Sequence, residues 1–330
     1  MKKWYASSLL ALASGFATAA FLVLLFSAKP LTSLLSFFTS PFSSVYFFGS
    51  MINTAGLLLF GSLGASIALL SGNINLGGEG QVYAGGLIAA LILNRFNSFF
   101  SPIAAMTAVI LICALLTLIP ILLKIYRRTS ELLTSFLLSA SIIPLIDWAI
   151  ANPLRDQNQN LLATPSILDR FKLPSLLPPS KFTVSFFIAA LLCVVFYFLI
   201  FKTRPGSLFR ISGKANEFAL YAGLNTKKHS ILAMCASGSL HGLCGYFAVS
   251  GMFYTAHQGF YLGMGWNALS IALIAKSNPL LLIPSSLILS YIFTASDYAV
   301  LTNNFSFNIT SIIQAAVLLV ISVSNMRRKK

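Results

Sequence analysis

Runs of eighteen or more uncharged residues recur from one end of this 330-residue chain to the other. A run of that length is what a helix needs to cross the ~30 Å hydrocarbon core of a bilayer. Only 9% of the residues are charged, against about 25% in an ordinary soluble domain. Water is therefore not the main solvent, and a single membrane domain over residues 1–330 with no soluble module is expected.

Ten spans are predicted, at 4–28, 48–70, 76–94, 102–123, 132–151, 182–201, 230–254, 259–275, 279–296 and 305–325. The first is too long for the apolar part of a signal peptide and has Phe26 where a cleavage site needs a small residue, so it reads as a span. The third carries Glu79 in its first turn and the eighth is short. Lys and Arg near span ends are retained in the cytoplasm. With the amino terminus inside, ten crossings place 16 of the 22 basic residues inside and bring the terminal Arg-Arg-Lys-Lys back to the same face. Both termini are then cytoplasmic.

The net charge of +15 would point to nucleic acid in a soluble protein. Here the basic residues lie in short loops and tails, where they set orientation and meet anionic headgroups, so membrane lipid is the expected partner and nucleic acid is not. All four cysteines fall in apolar runs. His241, Cys244 and Cys235 have a spacing that a soft metal could use, but helix packing is the simpler reading, and no metal or other cofactor is expected.

Parity divides the spans into a first repeat (48–151) and a second (229–330), flanked by a first span with an external segment (1–47) and joined by 152–228. The second to fifth spans begin by crossing inward and the seventh to tenth by crossing outward, which makes the halves inverted copies. Each half has a polar, glycine-rich break at the corresponding place, 71–82 and 256–268. Unwound backbone at membrane depth is tolerated only where it lines a cavity or is buried in protein, so paired breaks point to a transport path. Asn73, Asn75, Glu79 and Gln81 are expected to face His257, Gln258, Trp266 and Asn267 there. Gly77, Gly78, Gly80, Gly263 and Gly265 would break the helices and admit close backbone approach. The alternative is that the amides and glycines serve helix packing.

Two loops remain. Residues 202–228 form the longest predicted internal loop, basic at both flanks, with an apolar stretch around Phe218 that could seat in a groove on a soluble partner. Residues 152–181 hold five prolines and six charges, among them Arg155, Asp156, Asp169 and Arg170, that compose either an ordered lid or a plain connector. Residues 206–215 miss the phosphate-binding loop pattern in spacing and in the magnesium-binding hydroxyl, and 263–268 match a dinucleotide fingerprint with no preceding strand. No enzyme active site is read. Asp147 and Asp297 lie at outer span ends, which leaves no internal carboxylate relay for a proton-coupled secondary carrier, the competing class.

The segment NINLGGEGQ at 73–81 resembles the FNIG-x-EGQ segment of permeases in the branched-chain amino acid, ribose and simple-sugar family of ATP-binding-cassette (ABC) transporters, nucleoside-type branch. Residues 213–245 are similar to that family's G-x-N-x-x-A-A-x-x-A-G-I-N stretch and the helix after it, with Phe218 and Leu220 in place of small residues, and 276–279 resembles its GRNNPLG turn. The resemblance implies an all-α integral membrane protein of the bacterial inner membrane. It also implies a cytoplasmic ATP-binding subunit, a second permease subunit forming a homo- or heterodimer, and an extracytoplasmic substrate-binding protein or lipoprotein. Asn216, Glu217 and Gly223 would lie in the helix that couples to the ATPase. A nucleoside is the favoured solute, with riboflavin or a simple sugar as alternatives.

Overall fold

The computed structural model describes residues 30–303 together with positions 13, 17, 18, 20, 21, 24, 312 and 315. The first and tenth expected spans therefore lie essentially outside the described residues. Eleven α-helices follow in order: α1 (Pro30–Thr39), α2 (Val45–Leu70), α3 (Gly78–Arg95), α4 (Ser101–Arg127), α5 (Glu131–Ala151), α6 (Ser185–Tyr197), α7 (Arg204–Lys214), α8 (Asn216–Tyr221), α9 (Thr226–Ala248), α10 (Met264–Ile274) and α11 (Pro279–Asn303). A π-turn extends α6 over Phe198–Lys202 and another extends α9 over Val249–Phe253. The short α1 was not anticipated.

Local chemistry starts and stops these helices. The Ser44 hydroxyl accepts the Phe47 N–H to cap α2, Thr203 accepts from Gly206 N to cap α7, and the Asn225 side chain accepts from Lys228 N at α9. Such caps satisfy donors that the first turn leaves open. Among the described residues, six helices are long and apolar enough to cross a membrane: Val45–Leu70, Ser101–Arg127, Glu131–Ala151, Ser185–Lys202, Thr226–Phe253 and Pro279–Ala299. The expected third and eighth spans depart from that standard. α3 is less apolar, and the 11 residues of α10 reach only about 16 Å at 1.5 Å per residue. Both follow the glycine-rich breaks.

Burial separates core helices from lipid-facing ones. The apolar windows of α2 and α9 are 83% and 72% buried, whereas those of α4, α5 and α6 are 22–28% buried although they are more apolar. Helices that expose their most apolar surface are at home only in lipid. α9 packs on α2, α3 and α4, and α2 also meets α6, α10 and α11. The α3–α9 crossing is close because glycines meet there: a Cβ on Gly85 would run into the Gly242 backbone, and one on Gly245 into the carbonyl of Val82.

Contacts define two poles. At one, Gly72 after α2 abuts Gly213 of α7, Lys124 of α4 reaches Asn73, and Ser212 bonds His229 at the start of α9. Arg127, Arg128, Lys202, Arg204, Arg210, Lys214, Lys227 and Lys228 belong to the same helix ends, so this is a basic pole. The opposite pole holds the carboxyl ends of α3 and α9 and residues 152–183.

Candidate functional site

The first break begins at the basic pole and climbs inward. Gly72, at φ +76°, turns the chain back after α2, a conformation with little cost only for glycine. Asn73, buried, donates to Ser71 Oγ at 2.7 Å and accepts from Lys124 Nζ at 2.7 Å, and that ammonium also pairs with Glu131 at 2.8 Å. Asn73 thus belongs to a polar knot at the basic pole. Further in, Asn75 Nδ2 donates to Gln81 Oε1 (2.9 Å) and Ser237 Oγ (3.0 Å), while Asn75 Oδ1 accepts from Gln81 Nε2 (3.1 Å) and Gly77 N (2.9 Å). The two amides satisfy each other and do not face His257 or Gln258 as expected. Gly78 and Gly80 fall inside α3, where Gly80 rests on Ser139 of α5 and donates its N–H to that hydroxyl at 2.8 Å.

The two breaks converge at one point. Glu79, 7% exposed, accepts the backbone N–H of Trp266 at 3.0 Å. Gly263, at φ +80°, caps α10 without any side-chain bond, so a carboxylate from α3 supplies the cap across the fold. Helix amino termini carry partial positive charge, and a carboxylate placed there is stabilising. Gly265 permits this approach, because a Cβ on it would stand 2.5 Å from Glu79 N and 2.7 Å from Gly78 C. His241 of α9 closes the back of the junction, donating through Nδ1 to Ser237 O at 2.8 Å with its ring against Gly78.

A narrow crevice beside the junction is lined by Asn75, Leu76, Gly78, Glu79, Gly265, Trp266 and Leu269. Trp266 is half-buried and its ring lies 6.4 Å from that of Phe136 on α5. Asn267 is buried with its Oδ1 unpartnered. Along α5, positions 136, 140, 143 and 147 fall on one face, and Asp147 accepts the Tyr83 hydroxyl at 2.6 Å. Tyr83 packs at 4.5 Å on the ring of Tyr261. Phe136, Tyr83, Asp147 and Tyr261 were not read as site residues, because their juxtaposition depends on how helices 64 and more residues apart cross.

His257 and Gln258 sit at the opposite pole. The start of the second break and the end of α9 pair instead with residues 162–173, which form an ordered strap and not a plain connector, while Gly265 and Trp266 of the same break come beside Asn75. Gln258 N donates to Leu162 O (2.9 Å), Thr164 N to Ala256 O (3.0 Å), Ile167 N to Tyr254 O (2.9 Å) and Leu173 N to Ser250 O (2.9 Å). Ala163 and His257 form an antiparallel bridge, and burial against Phe253 and Phe260 lowers the His257 pKa. The strap also grips the end of α3, where Asn94 Nδ2 donates to Ser166 O at 2.6 Å.

Asn216, Glu217 and Gly223 lie together at the basic pole, on and just after α8, all exposed. Beside them Phe218, Leu220 and Tyr221 are 64%, 53% and 93% exposed and form an apolar ridge. Gly223 has φ +75° and open space around it.

Six bilayer-length helices around two glycine breaks that meet in the interior define a multi-pass helical membrane protein. Residues 47–322 match the family described as branched-chain amino acid transport system / permease component, and the chain belongs to that family. It is 38% identical over 323 residues to the probable riboflavin import permease protein RfuC of Treponema pallidum, covering 96% of this chain and 85% of that one. It is 24% identical to the guanosine ABC transporter permease protein NupP of Bacillus subtilis, over 81% of this chain and 78% of that one. A nucleoside ABC transporter permease protein, NupB of Lactococcus lactis, is also 24% identical, over 96% and 90%.

Proposed function

We propose that this chain is the membrane-spanning subunit of an ATP-driven importer in a bacterial inner membrane, with its basic pole cytoplasmic, and that it carries a flat heteroaromatic solute, riboflavin in preference to a nucleoside. A separate ATP-binding subunit would seat on the α8 ridge beside Asn216, Glu217 and Gly223. A second permease subunit and an extracytoplasmic binding protein complete the assembly. The inverted relation of the repeats 48–151 and 229–330 belongs to the same reading: α2, a break, α3 and α4 are answered in order by α9, a break, α10 and α11.

The observation that carries the solute class is the half-buried Trp266 beside Phe136, its backbone fixed by Glu79. From there the α5 face to Asp147 covers 11 residues, about 16 Å of rise, and runs beside Tyr261. Aromatic faces bind planar rings by offset stacking, and the tyrosine and carboxylate at the far end supply polar anchors. The 38% identity to a riboflavin import permease favours riboflavin over the nucleoside that the sequence motifs favoured. Asn73, Asn75 and Gln81, satisfied within the protein, are assigned to the scaffold of the path.

The test is uptake in proteoliposomes holding this chain with its ATPase and binding protein. Riboflavin uptake is expected to depend on ATP and to drop several-fold in Trp266→Leu and Phe136→Leu. Guanosine uptake exceeding that of riboflavin would reverse the solute assignment. Uptake that needs an ion gradient and no ATP would replace the importer with a secondary carrier.

A further inference from the structure

The strap also holds Tyr254, just ahead of the second break. This residue ends the π-turn of α9 in a left-handed conformation, φ +62°, which a non-glycine residue keeps only where the surroundings enforce it. Its N–H donates to Val249 O at 2.8 Å and its carbonyl accepts from Ile167 N of the strap at 2.9 Å. Two ammonium groups lie over its ring, Lys181 at 4.3 Å and Lys172 at 5.3 Å from the centroid. Lys172 is itself held by Asp169 at 2.6 Å, and the lysine keeps that carboxyl below its ordinary pKa.

From Tyr254 a short ordered path leads to the junction. His257 O accepts from Phe260 N, Gly259 O from Leu262 N, Tyr261 O from Met264 N and Gly263 O from Asn267 N, at 2.8–3.3 Å. Phe260 lies against α3 at Gly86, where a Cβ would strike its ring. Trp266, whose N–H binds Glu79, is one turn into the helix that this path starts.

We propose that Tyr254 is a positioning residue: Lys172 and Lys181 hold it, and it sets where the re-entrant segment 255–263 begins and hence how Trp266 meets Glu79. Contact of a delivery protein with the strap is then felt at the junction without touching it. The trigger rests on the importer reading above; the positioning does not.

Trp266 reports the outcome directly, since the chain has only two other tryptophans, Trp4 and Trp148. In a chain carrying Trp4→Phe and Trp148→Phe, embedded in lipid nanodiscs, Lys172→Gln with Lys181→Gln is expected to shift the Trp266 emission maximum. Its quenching by acrylamide should rise roughly twofold as the ring–cation contacts are lost. Lys172→Arg with Lys181→Arg is expected to restore the parental signal, because a guanidinium also stacks on an aromatic ring. Tyr254→Leu should reproduce the glutamine pair and Tyr254→Phe the parent, which decides the matter even if the lysine variant fails to fold. Unchanged emission and quenching in Tyr254→Leu, or arginines that act like glutamines, would overturn the assignment. A chain that gives the Trp266 response but transports no riboflavin retains the positioning role and loses only the proposed solute.

Discussion

Gly78 and Gly265 face each other so closely that a Cβ added to either would stand 3.1 Å from the other's Cα. They lie in the first turns of α3 and α10, so two helix amino termini meet, and Glu79 places a carboxylate where their partial positive charges converge. Gly265→Ala pushes a methyl group against the backbone of Glu79 and Gly78, which no rotamer change relieves. The expected cost is about 1–3 kcal/mol, together with loss of uptake. A thermal-shift measurement in detergent checks the first and transport in vesicles the second; a variant as stable and active as the parent would mean that the junction opens in the working state.

The interior amides separate scaffold from surface. Removing the Asn75 side chain strands Gln81 and the Gly77 N–H, and a buried polar group without its partner costs about 1–3 kcal/mol. Asn267 has no partner for its carbonyl oxygen to lose. Asn75→Ala is therefore expected to lower the unfolding temperature and the yield of assembled protein, whereas Asn267→Ala leaves both close to the parent. Chromatographic homogeneity and melting temperature of the purified variants decide it, and equal effects would contradict the hydrogen-bond assignment.

Glu79 itself can be divided into acceptor and charge. Glu79→Gln keeps an oxygen within reach of Trp266 N but removes the formal charge at the two helix termini, and Glu79→Ala removes both. A carboxylate at a helix amino terminus contributes typically 0.3–1 kcal/mol, up to ~2 where partly buried, so stability should fall in the order Glu, Gln, Ala. Melting temperatures in one lipid or detergent system provide the ranking, and an alanine variant more stable than the glutamine one would remove the capping role.

Much of this arrangement was legible beforehand because hydrophobic length and glycine placement act locally. The eight expected spans within the described residues each have a helix, and both breaks lie where glycine and polar residues cluster. Boundaries drifted where no cap marks them: α11 runs to Asn303, beyond the expected 296, since Ser296 bonds back to Ile292 O and stays inside the helix. The pairing across the breaks was only partly readable. Glu79 meets Trp266, yet His257 lies with Ala163 and Asn73 with Lys124, because a break is as likely to be filled by a neighbouring loop's backbone as by the opposite break. Backbone pairing of the strap leaves no side-chain signature, so composition could not distinguish a lid from a connector.

Topology offers a test independent of the site. Residues 157–160 are exposed and belong to the pole opposite the basic helix ends, which the proposed orientation places outside. A small reporter inserted there is expected to react with membrane-impermeant reagents in intact cells. One fused after Lys330 is expected to stay protected, and the reverse pattern would invert the molecule and move the proposed ATPase seat to the wrong side.

The last prediction concerns Gly223, which follows α8 at φ +75° with nothing within 4 Å of an added Cβ. A side chain there meets no steric obstacle, and its effect is confined to the backbone, where the left-handed conformation costs most residues about 1–2 kcal/mol. Asparagine tolerates that conformation better than β-branched residues do. Gly223→Val should therefore shift the α8 ridge of Phe218, Leu220 and Tyr221 while leaving the membrane core intact, and Gly223→Asn should shift it less. If this ridge is where motion passes to the ATP-binding subunit, valine will leave ATP hydrolysis running while uptake falls several-fold, and asparagine will lie between valine and the parent. Hydrolysis and uptake measured in the same vesicles give the ratio directly. Coupling that is unchanged in the valine variant, at normal assembly with the ATPase, would move the transmission surface away from α8.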